Sequence, residues 1–103
     1  MNPLNDGVAA LDEAAIRAKA WVGDAVLSLF AREWLLEQTG KVDAEAYIRM
    51  TSNDFLACLG SPNKVEARIG IVYETQGLQA AYELLRAHVL PVYQRQEANR
   101  AKQ

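Results

Sequence analysis

The stretch Ala20-Trp21-Val22-Gly23-Asp24-Ala25-Val26-Leu27-Ser28-Leu29-Phe30-Ala31 decides how the rest of the chain is read. It is apolar on almost every side, interrupted only by Asp24 and Ser28. The apolar positions Ile16, Ala20, Gly23, Leu27, Phe30 and Trp34 follow one another at spacings of four and three, one stripe of an α-helix. That helix is expected to start near Asp12 or Glu13, acids suited to a helix N-terminus, and to run to Gln38 with Gly40 as its stop. A helix with no polar face is buried on both sides. In a small chain one side is expected to meet the domain core and the other a second subunit.

Outward from this helix the pattern stays helical. Alanine and leucine dominate, β-branched residues are sparse, and glycine and proline fall at wide intervals, which points to an all-α fold. Further helices are expected over Ala44 to Met50, over Asn53 to Leu59 with Ser52 or Asn53 as cap, from Pro62 or Asn63 to Gln76-Gly77, and from Leu78 past Val89. Pro91 should kink or end the last of these, leaving the polar tail from Gln94 to Gln103 frayed. At 103 residues a single domain is expected, with its core over about residues 12–92.

Composition narrows the function classes. Half the residues are apolar and 23% are charged, for a net charge of −2: globular, and without a whole-protein basic footprint for nucleic acid. Contact with nucleic acid would have to come from a local basic face or one assembled across a dimer. The single cysteine, Cys58, excludes an intrachain disulfide and fits a reducing compartment. There is no basic-then-apolar leader and no apolar run of about 20 residues, so the cytoplasm is the expected location and no membrane partner is expected.

Two carboxylates stand out. Asp24 sits inside the most hydrophobic helix, where a charge is costly unless a cation, a metal or several donors meet it. An ion pair with Arg17, seven residues earlier, is the plainer explanation. Glu66 precedes another apolar turn, Ala67 to Tyr73, with Gly70 one turn on; alone it could be a first-turn acid complementing the helix dipole. Gly23 and Gly70 each imply close approach to the backbone. Oxygen ligands supplied by two different helices suit Mg²⁺, which keeps several waters for itself.

Read in order, four segments resemble the ribonuclease III family over roughly Ile16 to Val92. Trp21 to Leu27 is similar to its central aromatic-aliphatic-Gly-Asp-Ala-Val motif; Thr51 to Ala57 to the segment where a Ser/Asn-Asn pair precedes Leu-Ala; Val65 to Tyr73 to the second catalytic helix with its Glu-Ala…Gly…Tyr spacing; and Gly77 to Ala81 to the turn into the last helix. The departures are specific. Ala20 stands where the family has a glutamate, Arg17 where it often has another acid, and Asn63 where it usually has an aspartate. Mini-ribonuclease III also shows alanine at the first of these. Gly60 to Val65 replaces a long helix and basic loop, and no double-stranded-RNA-binding domain is present.

The resemblance implies a ribonuclease III-type helical homodimer that hydrolyses phosphodiesters of double-stranded RNA with Mg²⁺, or Mn²⁺. Asp24 and Glu66 would be the catalytic metal ligands and Asn63 a weaker carbonyl ligand. Arg17, Lys19, Lys64 and Arg68 would be phosphate contacts, each with ordinary surface charge as its alternative. Trp21, Gly23 and Leu27 are assigned to the dimer interface, Trp21 with a core role as its alternative. Trp34 reads as core, Cys58 as buried filler, His88 as structural or surface, and Arg95, Arg100 and Lys102 as solubilising. A non-catalytic RNA-binding or ribosome-associated protein, and a helical dimer with no RNA partner, are the competing readings.

Overall fold

The computed structural model describes Leu4, Gly7, Val8 and residues 10–102. Those residues form six helices and no strand. The longest, α1 (Glu13–Thr39), begins where the Asp12 side chain accepts a hydrogen bond from the Ala15 amide at 2.8 Å. It ends at Gly40, whose left-handed backbone (φ 71°) returns its N–H to the Leu36 carbonyl at 2.7 Å. Two short helices follow, α2 (Ala44–Thr51) and α3 (Asn53–Ala57), capped by the side chains of Asp43 and Ser52. Helix α4 (Pro62–Gln76) opens with proline at its first turn, where the missing N–H leaves no bond unmade. Helices α5 (Leu78–His88) and α6 (Leu90–Ala101) complete the chain.

Helices α1 and α4 are packed against each other more extensively than any other pair. Around them Phe30, Leu27, Met50, Leu56, Ile69, Leu85, Val65 and Val89 are fully enclosed, drawn from every helix but α6. A smaller cluster of Val8, Ala20 and Ala67 covers the other end of the α1–α4 contact. Of the described helices, none is long and apolar enough to cross a membrane.

Two sequence expectations, on the tail and on Cys58, need correction. The tail does not fray: Gln94 to Ala101 are helical, because the Arg49 guanidinium grips both carboxylate oxygens of Glu97 (2.9 and 3.1 Å) and Tyr93 packs edge-on against Trp34 and Phe55. Pro91 falls at the break expected of it: α5 ends at His88 and a new helix starts at Leu90, since proline cannot continue the hydrogen-bond ladder. Cys58 is exposed, past the last turn of a helix shorter than expected. Trp34 is partly buried against the core.

Two glycines let α1 and α4 touch. A β-carbon on Gly23 would stand 1.7 Å from the Glu66 carbonyl oxygen, and one on Gly70 would stand 2.1 Å from that of Lys19. Neither neighbour is a side chain able to turn away; both are helix backbone. Gly23→Ala or Gly70→Ala should therefore force the helices apart and destabilise the fold by roughly 3 kcal/mol or more in urea unfolding. Gly40→Ala meets nothing within 4 Å. It should lose only about 1 kcal/mol, from its left-handed backbone. Equal losses at all three sites would contradict the packing account.

Candidate functional site

The glycine contact sets the positions of the two carboxylates. Asp24 follows Gly23 directly, and the backbone that Gly23 rests on is that of Glu66 itself. Both side chains line one open cavity of about 520 Å³, together with Arg17, Ala20, Trp21, Ala25 and Asn63. Two acids 42 positions apart in sequence thus share a wall because the helices carrying them cross without side chains between them.

Their chemistry is coupled. Glu66 is half-buried, and burial, followed by hydrogen bonding to Asp24 and the proximity of its charge, pushes the Glu66 carboxyl up to about 8. At neutral pH Glu66 then keeps its proton, as expected of a carboxyl that is partly buried beside another acid. The arrangement offers carboxylate oxygens and the Asn63 amide oxygen toward an open space. Oxygen donors of this kind fit a hard divalent cation that retains water, although among the described residues no group of three or more His, Cys, Asp or Glu side chains converges.

The cationic candidates divide. Arg17 lines the cavity, and a neighbouring cleft lined by Glu13, Ile16, Arg17, Ser61, Asn63 and Lys64 continues from it. No ion pair joins Arg17 to Asp24 among the described residues, so the plainer explanation of Asp24 finds no contact to support it. Lys19 is not in the cavity wall; its ammonium pairs with Glu74 at 2.7 Å. Arg68 is half-buried with its guanidinium against Gly7, also outside the cavity wall.

The interface assignment splits as well. Trp21 is 83% exposed. Gly23 is closed by α4 and Leu27 is fully enclosed in the core, so neither can present surface to a second subunit. At about 100° per residue they lie roughly 200° and 240° around the helix from Trp21. On the side of Trp21, α1 leaves the apolar Trp21, Ala25, Leu29 and Leu36 uncovered, joined at the far end by Val42. The expectation of burial on both sides therefore holds for one side within this chain.

Sequence reading missed a second feature on that outer side. The Ser28 hydroxyl and Tyr47 Oη are hydrogen-bonded at 2.8 Å, and the Arg32 guanidinium lies 4.7 Å from the Tyr47 ring centre. The Ser28 hydrogen bond, ahead of Arg32, holds the Tyr47 phenol below its ordinary value. Beside this network an apolar cavity of about 220 Å³ opens between the end of α1 and the start of α2. The sequence signal was Ser28 and Arg32 one turn apart on a face otherwise apolar; their partner depends on how the chain reverses at Gly40.

The raised Glu66 carboxyl has a consequence for stability. The folded state keeps a proton that an unfolded glutamate, with its ordinary value near 4.5, releases. The resulting stabilisation is complete below about pH 4.5 and is lost as pH rises through about 8. Glu66→Gln should remove that loss. Its thermal midpoint should match the parent near pH 5 and exceed it by a few degrees near about pH 9. Parallel curves for the two proteins would show that Glu66 ionises freely in the fold. No known protein family, curated protein or solved structure matches this chain, so the reading of the cavity rests on its own geometry.

Proposed function

We propose that this protein is a ribonuclease III-type endoribonuclease, a homodimer that hydrolyses phosphodiester bonds of double-stranded or structured RNA with Mg²⁺ or Mn²⁺. One observation carries the reading: Asp24 and Glu66, singled out by motifs far apart in sequence, line the same open cavity with Arg17 and Asn63. Bound Mg²⁺ would supply the Lewis acid that polarises the phosphoryl group and makes an attacking water acidic. Asp24 and Glu66 would hold that ion and Asn63 would add a neutral oxygen. Glu66 would give up its proton to serve as a ligand, so binding of the ion would release a proton. Arg17, which lines the cavity, and Lys64, in the adjoining cleft, would be the contacts to the phosphate backbone. Recognition of a duplex follows from shape, through phosphates and 2′-hydroxyls across the minor groove.

The homodimer is supported by the apolar strip of Trp21, Leu29, Leu36 and Val42, which this chain leaves uncovered. A reducing, cytoplasmic setting goes with this reading. A non-catalytic RNA-binding protein is the second reading, favoured by the lack of a third acid near Asp24 and Glu66 among the described residues and by the net charge of −2.

Incubation with long double-stranded RNA in Mg²⁺, in Mn²⁺ and in chelator tests the first reading. Cleavage should depend on the metal and should be abolished by Asp24→Asn and by Glu66→Gln, with helical content unchanged. Undiminished cleavage in either variant would remove the site assignment; intact RNA under all conditions would favour the second reading.

The sparse ligand set makes a further prediction. Ala20 and Asn63 both line the cavity, so acids placed there would face the same space. Ala20→Glu combined with Asn63→Asp should tighten Mg²⁺ or Mn²⁺ binding in calorimetry by on the order of tenfold or more and raise cleavage at low metal concentration, because affinity for hard ions follows ligand charge. Unchanged metal affinity would mean that these positions do not converge on an ion.

A further inference from the structure

The cleft beside the carboxylate cavity has a chemistry of its own. Its volume is about 320 Å³, and Glu13, Ile16, Arg17, Ser61, Asn63 and Lys64 line it. Arg17 and Asn63 also line the carboxylate cavity, so the two spaces adjoin. Glu13 and Asp24 stand on the same side of α1, within about 20° around the helix and about 16 Å apart along it. Ile16 gives the cleft an apolar patch; it is partly buried against Val8, Ala20 and Ala67.

Arg17 and Lys64 suit phosphate, but Glu13 does not: a cleft meant for phosphate alone would bind it better without a carboxylate. Glu13 and Arg17 are one helical turn apart and could neutralise each other. Among the described residues, however, no ion pair joins Glu13, Arg17 or Lys64, and the Ser61 hydroxyl caps no amide of α4. A ligand that answers every one of these groups carries negative charge and hydrogen-bond donors together. Among the RNA nucleotides guanosine does so most fully. Its base alone sets two N–H donors, N1–H and the N2 amine, side by side on the pairing edge, where one carboxylate accepts both.

We infer that this cleft is a subsite for an unpaired guanosine nucleotide. Glu13 accepts from N1–H and the N2 amine, the Ser61 hydroxyl donates to O6, Ile16 contacts the face of the base, and Arg17 and Lys64 hold its phosphate. The inference rests on the RNA reading proposed above and narrows it. Within a duplex that edge of guanine is already paired, so the cleft selects structured RNA with a guanine in a bulge, a loop or a free end near the cut.

The test needs no cleavage. The isotopically labelled full chain, kept in chelator so that no metal draws the phosphate, is titrated with the 5′-monophosphates of guanosine, inosine, adenosine and cytidine. Backbone amide shifts are followed. Guanosine monophosphate should move the signals of residues 13–17 and 61–64 and bind about tenfold more tightly than the adenosine or cytidine nucleotide, as one bidentate base contact allows. The inosine nucleotide, which lacks the N2 amine and keeps N1–H and O6, should fall between. Glu13 is exposed, so Glu13→Ala should leave helical content unchanged while bringing guanosine to within about twofold of adenosine. Lys64→Ala should instead weaken all four nucleotides alike, because the phosphate is common to them. Equal affinity for the four, a guanosine preference that survives Glu13→Ala, or shifts centred elsewhere would overturn the subsite. Guanosine binding beside intact duplex RNA would keep the subsite and favour the non-catalytic reading. Metal-dependent cleavage without a nucleotide preference would remove the subsite and leave the reaction standing.

Discussion

The contact of α1 with α4 at Gly23 and Gly70 is the constraint on which the rest of this structure depends. Helix axes ordinarily stay 8–10 Å apart because side chains stand between them. Here each glycine is met by a carbonyl oxygen of the opposite helix, so the approach is limited by backbone alone. The closeness has two products. It seals the core cluster of Leu27, Phe30, Val65 and Ile69, and it brings Asp24 and Glu66 to one cavity. Any side chain at either glycine would disturb core and cavity together, which ties the stability of the fold to the geometry of the candidate site.

The same contact sets the electrostatics. A carboxylate exposed to water is stabilised by solvent; Glu66 has lost half of that and faces Asp24 as well, so its protonated form prevails to about pH 8. Among the described residues Arg17 shares the cavity without an ion pair to Asp24, and Lys19 is engaged by Glu74. Two carboxyls held this close, one of them kept protonated by burial and by the other's charge, suit a site that takes a cation from solution. A pair kept only for structure would gain more from a bonded arginine, of the kind Glu97 receives from Arg49.

Much of this was legible in the residues. The 3.6-residue periodicity of α1, the stops at Gly40 and Gly77, and the caps near Asp12 and Ser52 are local signals, and the helices follow them closely. Asp24 and Glu66 were legible because a charge within an apolar run violates the pattern. The inward orientation of Gly23 and Leu27 followed from helical phase, yet assigning them with Trp21 to one interface overlooked that the three point to different sides. The ordered α6 was hidden for a different reason: its polar surface looks like a loose tail until Arg49, 48 positions earlier, supplies the partner of Glu97. The hollow beside Tyr47 likewise exists only after α2 folds back along α1. Long-range pairings of single residues leave no periodic trace.

The central claim is that the α1–α4 crossing makes Asp24 and Glu66 one divalent-ion site. The most direct measurement is the titration of isotopically labelled protein with Mn²⁺, followed by paramagnetic broadening of backbone amide resonances. The account predicts selective loss of signals around Asp24, Asn63 and Glu66 at low Mn²⁺, reversed by excess Mg²⁺. Broadening spread evenly over exposed acids such as Glu33, Glu37 and Glu83, with the Asp24 and Glu66 signals no more affected than theirs, would contradict it.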